Sequence, residues 1–244
     1  MLLLISGIER NPGPILPRFS FATWNLDSIL AREGCKLSSI EGLDSVYKFD
    51  IFGIVESYLD SSISNSKIEI PCFAPDPIRS DCKDIGNRAK GGVCLYYKDH
   101  IPLKHRPELE LLNECIVAEI NIKNKKIIYI LLYRSPNQNP QVFANFIKNL
   151  KTMLDKIGDE NPFAIILTGD LNCRSPNFWD DEILESSEGK ELSNLTLSNG
   201  LKQVINEPTH FPRDGIATCI DHIFTNQEHI LCDNVVSTLW FMEK

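Results

Sequence analysis

The chain predicts an α/β domain of layered sheets and helices, and three observations carry that prediction. Seven short apolar runs alternate with polar punctuation from residue 18 onward. Several of those runs are continuously apolar, which marks strands buried on both faces rather than one. At least one stretch between them is apolar at three- and four-residue steps, the spacing of a helix that covers a sheet.

Taken in order, residues 1–17 stand apart. GIERNPGPILP holds three of the 14 prolines, and because proline lacks an N–H and fixes φ, neither a regular helix nor a central strand is expected there. The domain proper is expected over 18–244. Its strand candidates are FSFATWN (19–25), FDIFGIVE (49–56), GGVCLYY (91–97), ECIVAEIN (114–121), KIIYILLY (126–133), FAIILTG (163–169) and TCIDHIFT (218–225). A short polar link, IKNK, joins the fourth and fifth, so they read as a β-hairpin. In PQVFANFIKNLKTMLDKIG, Asn139 can cap and Pro140 suits the first helical position. Val142, Phe143, Phe146, Ile147, Leu150, Leu154 and Ile157 form its stripe, and Gly158 ends it. A weaker helix spans about 188–197 and stops at Asn199-Gly200.

Composition narrows the class. With 25 Lys plus Arg against 33 Asp plus Glu the net charge is -8, so no general attraction to nucleic acid follows from charge. Any polyanion must be held locally or through a metal. No run approaches the roughly 20 apolar residues of a membrane span, and MLLLIS lacks the flanks of a secretory signal. The eight cysteines are widely spaced, several inside apolar runs, which favours reduced, buried thiols. An intracellular protein, cytoplasmic or nuclear rather than secreted, is expected, with no membrane partner; oligomeric state is left open.

The informative pattern is polar residues where apolar strands stop. Glu56 follows IFGIV, Asp170 and Asn172 follow AIILTG, and Asn25 follows FATW. A carboxylate at the end of a buried strand is costly unless it meets a cation or several donors. Alone, Glu56 reads as a solvated loop residue and Asp170-Leu171-Asn172 as a turn. Asp221, between Ile220 and Ile223-Phe224 with His222 facing the other way, is harder to dismiss. Several such ends converging would give an oxygen-only site, which suits Mg2+ or Mn2+ rather than zinc.

The ordered series TWN, GIVES, GGVCLYY, YRSPN, LTGDLN, PTHF and CIDHIFTN resembles the endonuclease/exonuclease/phosphatase superfamily, and within it the apurinic-type endonuclease domain of non-LTR retrotransposons. The resemblance covers about 18–235. It implies a four-layered α/β sandwich of two β-sheets flanked by helices, and hydrolysis of DNA phosphodiesters with a divalent metal. It implies that Glu56 is a metal ligand with Asn25 beside the metal, and that Tyr133 contacts the scissile phosphate with Asn137 near it. Asp170 would orient or deprotonate the attacking water, Asn172 would support the transition state, and Asp221 would orient the catalytic histidine. Thr209 and Thr218 match accessory polar positions.

In that family a terminal Ser-Asp-His supplies the histidine. Here DNVVSTLWFMEK ends at Lys244, 23 residues after Asp221, with no such triplet. The expectation is therefore a fold short of its last strand, with an exposed sheet edge or core surface. Loss of a general acid-base group costs about 10²–10⁴-fold in rate, so the activity itself is open. The chain reads as an impaired endonuclease, as a catalytically inactive DNA- or protein-binding module, or as a phosphatase of the same superfamily. Arg79, Lys83, Arg88, Lys90, Arg134 and Arg174 are further candidate phosphate contacts.

The segment GIERNPGP resembles the 2A-type ribosome-skipping peptide, with Ile8, Glu9, Asn11, Pro12, Gly13 and Pro14 at matching positions and Gly7 where the family has Asp. That resemblance places the skipping junction between Gly13 and Pro14.

Overall fold

The computed structural model describes residues 2–6, 20–31, 35–82, 90–179, 184–212, 215–227 and 233–237. The Gly13–Pro14 junction and Cys232 lie outside them. One six-stranded sheet is built from β1 (Leu2–Ser6), β2 (Phe21–Asn25), β3 (Ile51–Val55), β4 (Ile78–Ser80), β5 (Val93–Tyr97) and, last in the chain, β12 (Asp233–Ser237), in the order β12-β1-β2-β3-β5-β4. The other contains β6 (Leu103–His105), β7 (Cys115–Ile122), β8 (Lys125–Leu132), β9 (Ala164–Asp170), β10 (Lys202–Gln203) and β11 (Asp221–Thr225), in the order β10-β11-β9-β8-β7-β6. Each sheet has one parallel pair, β2–β3 or β8–β9, and antiparallel neighbours elsewhere. A helix makes each parallel crossover: α1 (Cys35–Tyr47) and α2 (Pro140–Asp159). The third helix, α3 (Ser187–Ser198), packs with α2.

Why the strands read as continuous apolar runs is now visible. In β8, Ile127, Tyr129 and Leu131 join the core between the sheets, while Ile128, Ile130 and Leu132 face α2. With both faces covered, period-two alternation disappears. Phe143, Phe146, Leu150, Met153, Leu154 and Ile157 of α2 close that outer core, whereas Val142, expected in the stripe, is exposed. A third core lies between α1 and the first sheet, holding Trp24, Ile40, Phe52, Ile54 and Tyr96. The result is the four-layered sandwich, helix, sheet, sheet, helix.

Local chemistry sets the junctions. Asn139 Oδ1 accepts from the Val142 N–H at 2.9 Å, the expected cap of α2. The β7–β8 hairpin turns on Lys123 and Asn124, both at positive φ (49° and 63°), the backbone of a two-residue type I′ turn. All seven expected strands are present, displaced by up to three residues at their ends. Helix α1 had no sequence signal, because CKLSSIEGLDSVY buries only Ile40 and Asp44.

The expectation that residues 1–17 hold no central strand is corrected at Leu2–Ser6. This stretch precedes the prolines and pairs antiparallel with both β2 and β12. Five residues with unbroken N–H groups suffice for a strand, and they lie along the free side of β2. Five of the seven described cysteines are buried. Burial pushes the Cys94 and Cys173 thiols up to about 12, which keeps them unreactive. No described helix is long and apolar enough to cross a membrane.

Gly169, at φ +143°, sits where an added Cβ would lie 1.8 Å from the Leu132 carbonyl oxygen. Backbone atoms cannot give way as a side chain can. Gly169→Ala should therefore lower stability by more than about 2 kcal/mol, and urea unfolding would contradict this if the midpoint stayed put.

Candidate active site

The two parallel pairs deliver their C-terminal ends to one rim. In the first sheet β2 ends at Asn25 and β3 at Val55, immediately before Glu56; in the second, β8 ends just before Tyr133 and β9 at Asp170. The antiparallel strand β11 begins at Asp221, which lies directly opposite Asp170 in register. Parallel α/β sheets place their crevice at such strand ends because both chains leave the sheet there.

Asn25 joins the sheets. Its Nδ2 donates to Glu56 Oε1 at 2.7 Å and to Asp170 Oδ2 at 2.9 Å, while its Oδ1 accepts from the Asp27 N–H at 3.2 Å. The amide thus presents donors to the carboxylates and its oxygen to the Asp27 N–H, so that Asn25 bridges Glu56 and Asp170. Glu56 adopts φ +54°, with Ser28 N–H donating to its carbonyl at 2.8 Å. Its second carboxylate oxygen accepts from the Tyr58 hydroxyl at 2.5 Å.

Asp170 is 3% exposed and Asp221 6%. Burial, and then the charge of Asp221, raises Asp170 well above the usual carboxylate range, against the opposing pull of the Asn25 amide and the Asn172 N–H. Burial likewise pushes Asp221 up to about 6, with Glu56 adding to the shift. Thr209 Oγ1 accepts from the N–H groups of Ile220 and Asp221, both at 3.0 Å, which fixes the start of β11. Thr218 pairs its backbone with His210, and its buried Oγ1 has no hydrogen-bond partner among the described residues.

The GDLN turn is clamped from behind. Arg134, 4% exposed, donates to the carbonyls of Leu171 and Asn172, each at 2.6 Å, and Asn172 Nδ2 returns a bond to the Arg134 carbonyl at 2.9 Å. Its guanidinium thus meets backbone oxygens and positions the turn that holds Asp170 and Asn172. Arg79 is similarly engaged, by Asp81, Asn65 and the carbonyls of Asp60 and Ile63. Tyr133 is 5% exposed, and burial, Glu56 and Asp170 all raise its phenol, so it stays a neutral donor. Asn137, at φ +54°, lines a 370 Å³ cavity with Asn172 and Arg174. Lys83 and Arg88 lie outside the described residues.

His222 points away from Asp221, as alternation requires. Its Nε2 meets the Cys173 carbonyl and its Nδ1 meets Gln203, and burial lowers it to about 3. Two residues at this rim, Asp27 and Tyr58, escaped sequence reasoning. Their only signals were proximity, two positions after Asn25 and Glu56 respectively.

No group of three or more His, Cys, Asp or Glu in cation-holding geometry occurs among the described residues. The chemistry nevertheless fits a hard cation: beyond burial, the charges of Asp221 and Glu56 raise the proton affinity of Asp170, and that of Glu56 raises Asp221. Excess negative charge among oxygen donors is what such an ion relieves.

The raised Asp221 has a thermodynamic signature. A carboxyl whose folded value exceeds its unfolded one binds more protons when folded, so it stabilises at low pH and that contribution is lost as pH rises through about 6. Asp221→Asn should raise metal-free stability at pH 7 by about 1–3 kcal/mol and flatten the decline between pH 4 and 6.5. Urea melts across that range would count against the buried charge if both chains declined alike.

Comparison with known proteins places this geometry. Residues 127–241 match the family described as Endonuclease-reverse transcriptase, a span that includes Tyr133, Asp170, Asn172 and Asp221 and excludes Asn25 and Glu56. No curated protein sequence matches the chain. Among solved structures it is similar to the endonuclease domain of TRAS1, a telomere-specific non-LTR retrotransposon, at 18% identity and TM-score 0.58, covering 83% of this chain and 82% of that one. It is similar to the AP endonuclease LMAP from Leishmania major at 12% identity and TM-score 0.68, covering 86% and 79%. It is also similar to the 3' phosphatase NExo from Neisseria bound to product DNA hairpin, at 20% identity and TM-score 0.56, covering 87% and 88%. The chain thus has the two-sheet α/β fold of these nucleases, and over residues 127–241 it carries the sequence pattern of the endonuclease-reverse transcriptase family.

Proposed function

We propose that the domain is a DNA endonuclease of the non-LTR retrotransposon type, hydrolysing phosphodiesters with Mg2+ or Mn2+. The observation that carries this reading is the meeting of Asn25, Glu56 and Asp170 from both sheets in one hydrogen-bonded set, with Asp221 opposite Asp170. The family match over 127–241 and the likeness to nucleases, one of them solved with a DNA hairpin, support it.

In this reading Glu56 holds the cation, with Asp27 nearby. When bound, the ion neutralises non-bridging phosphate oxygens and the charge that develops on the leaving oxygen. Tyr133 donates a hydrogen bond from its neutral phenol to the phosphate, and Asn137 contributes from the cavity rim. Asp170, held at Oδ2 by Asn25 and at Oδ1 by the Asn172 N–H, takes the proton of the attacking water. Its raised proton affinity makes it a stronger base than an exposed aspartate. The buried, neutral His222 on the opposite face cannot act as acid for the leaving group. In the second reading the same site binds DNA without turnover.

Supercoiled plasmid incubated with the chain and Mg2+ should be nicked, and Glu56→Ala should slow nicking by at least about 10²-fold. Metal-independent nicking, or nicking indifferent to Glu56→Ala, would refute the assignment. DNA binding without nicking selects the inactive module, and release of phosphate from small esters selects a phosphatase.

For GIERNPGP we propose a ribosome-skipping element that separates Gly13 from Pro14. Skipping would detach Leu2–Ser6 from the domain, leaving β2 without the partner it has here. In translation of reporters fused on either side, two products are expected; one joined chain overturns this reading.

A further inference from the structure

We propose that Tyr58 is a positioning residue of the cation site, locking the Glu56 carboxylate through a hydrogen bond that leaves its remaining lone pairs for the ion. This rests on the metal-dependent reading above.

The argument begins with the backbone. Glu56 and Tyr58 both adopt left-handed conformations, at φ +54° and +52°, which L-residues with side chains visit at a cost of about 1–2 kcal/mol each. Such conformations persist only where the surroundings over-determine them. Here Ser57 N–H donates to the Gly92 carbonyl at 3.1 Å and Tyr58 N–H to the Gly91 carbonyl at 2.9 Å, while Ser28 and Ile29 donate to the carbonyls of Glu56 and Ser57. Gly91 and Gly92 are themselves at φ +101° and +76°, and an added Cβ would lie 1.9 Å from Glu114 Oε1 or 2.8 Å from Ser57 Oγ. A strap of three residues is thus bound on both sides before any side chain acts.

That strap delivers the Tyr58 hydroxyl to Glu56 Oε2 at 2.5 Å. The other oxygen, Oε1, receives Asn25 Nδ2, a group it shares with Asp170. Without the phenol, one shared amide would be left to orient the carboxylate, and the side chain could turn about its last torsion. With it, each oxygen has its own donor. A carboxylate offers about four lone-pair sites, so two remain for a cation. The ring is half-buried beside Asp27 and needs no rearrangement to hold this pose.

Partners that orient a ligand side chain typically contribute 10–100-fold to metal affinity. Mn2+ binding followed by electron paramagnetic resonance on the full chain, parent against Tyr58→Phe, tests this, since phenylalanine keeps the ring and removes only the donor. A Kd weaker by about 10–100-fold, with metal-free melting unchanged and nicking recovered at saturating Mn2+, is the expected result. Equal Kd values would overturn the role of Tyr58 while leaving the metal reading intact. A Tyr58→Phe chain that no longer folds would also overturn it, by showing that the phenol is needed for the fold itself. A parent chain that binds no Mn2+ would remove the metal reading, and this inference with it.

Discussion

One side-chain amide ties the two halves of this molecule together where its charge is densest. Asn25, at the end of β2, donates one Nδ2 hydrogen to Glu56 of its own sheet and the other to Asp170 of the facing sheet. Two residues earlier on the same strands, the hydroxyls of Thr23 and Thr168 meet at 2.9 Å, with the Tyr129 phenol beside them. A polar seam therefore runs through an otherwise apolar interface and opens at the rim as the candidate active site. Buried polar atoms are tolerated only when paired, so the seam fixes how the sheets face each other as well as what stands at the rim.

The topology explains why the acids arrive together. Each sheet centres on a parallel pair joined by a helical crossover, and in each the C-terminal ends of that pair point to the same edge of the sandwich. The chain shows no sequence repeat, yet its two halves place Glu56 and Asp170 at equivalent positions, directly after or at the end of the second strand of each pair. The cost is electrostatic: carboxylates crowd a buried place, and Asp170 and Asp221 hold their protons more tightly in consequence. The same crowding makes Asp170 a competent base and the rim a place for a cation.

Much of this was legible in the residues. Strands buried on both faces announce themselves as unbroken apolar runs, and α2 as a stripe behind Asn139-Pro140, because burial of large areas leaves compositional traces. Short or shallow elements leave none. Helix α1 covers its sheet with few apolar residues, β4, β6 and β10 are two or three residues long, and Leu2–Ser6 is strand only because β2 has a side to offer it. Among the site residues, Glu56, Asp170, Asn172 and Asp221 stood out by position at strand ends. The task of Arg134 did not, since an arginine after a strand looks the same whether it reaches a phosphate or, as here, two backbone carbonyls.

The sequence alone determined the long strands, helix α2 and the polar residues that end them, because periodicity and strand-end chemistry are local properties written in neighbouring residues. Only the tertiary structure decided what each polar group faces. That Asn25 bridges carboxylates with its N–H groups, that Arg134 clamps the turn holding Asp170, and that Tyr58 reaches Glu56 depend on contacts between residues up to 145 positions apart. Donor and acceptor roles at such distances follow from how the sheets stack, and no window of sequence contains that geometry.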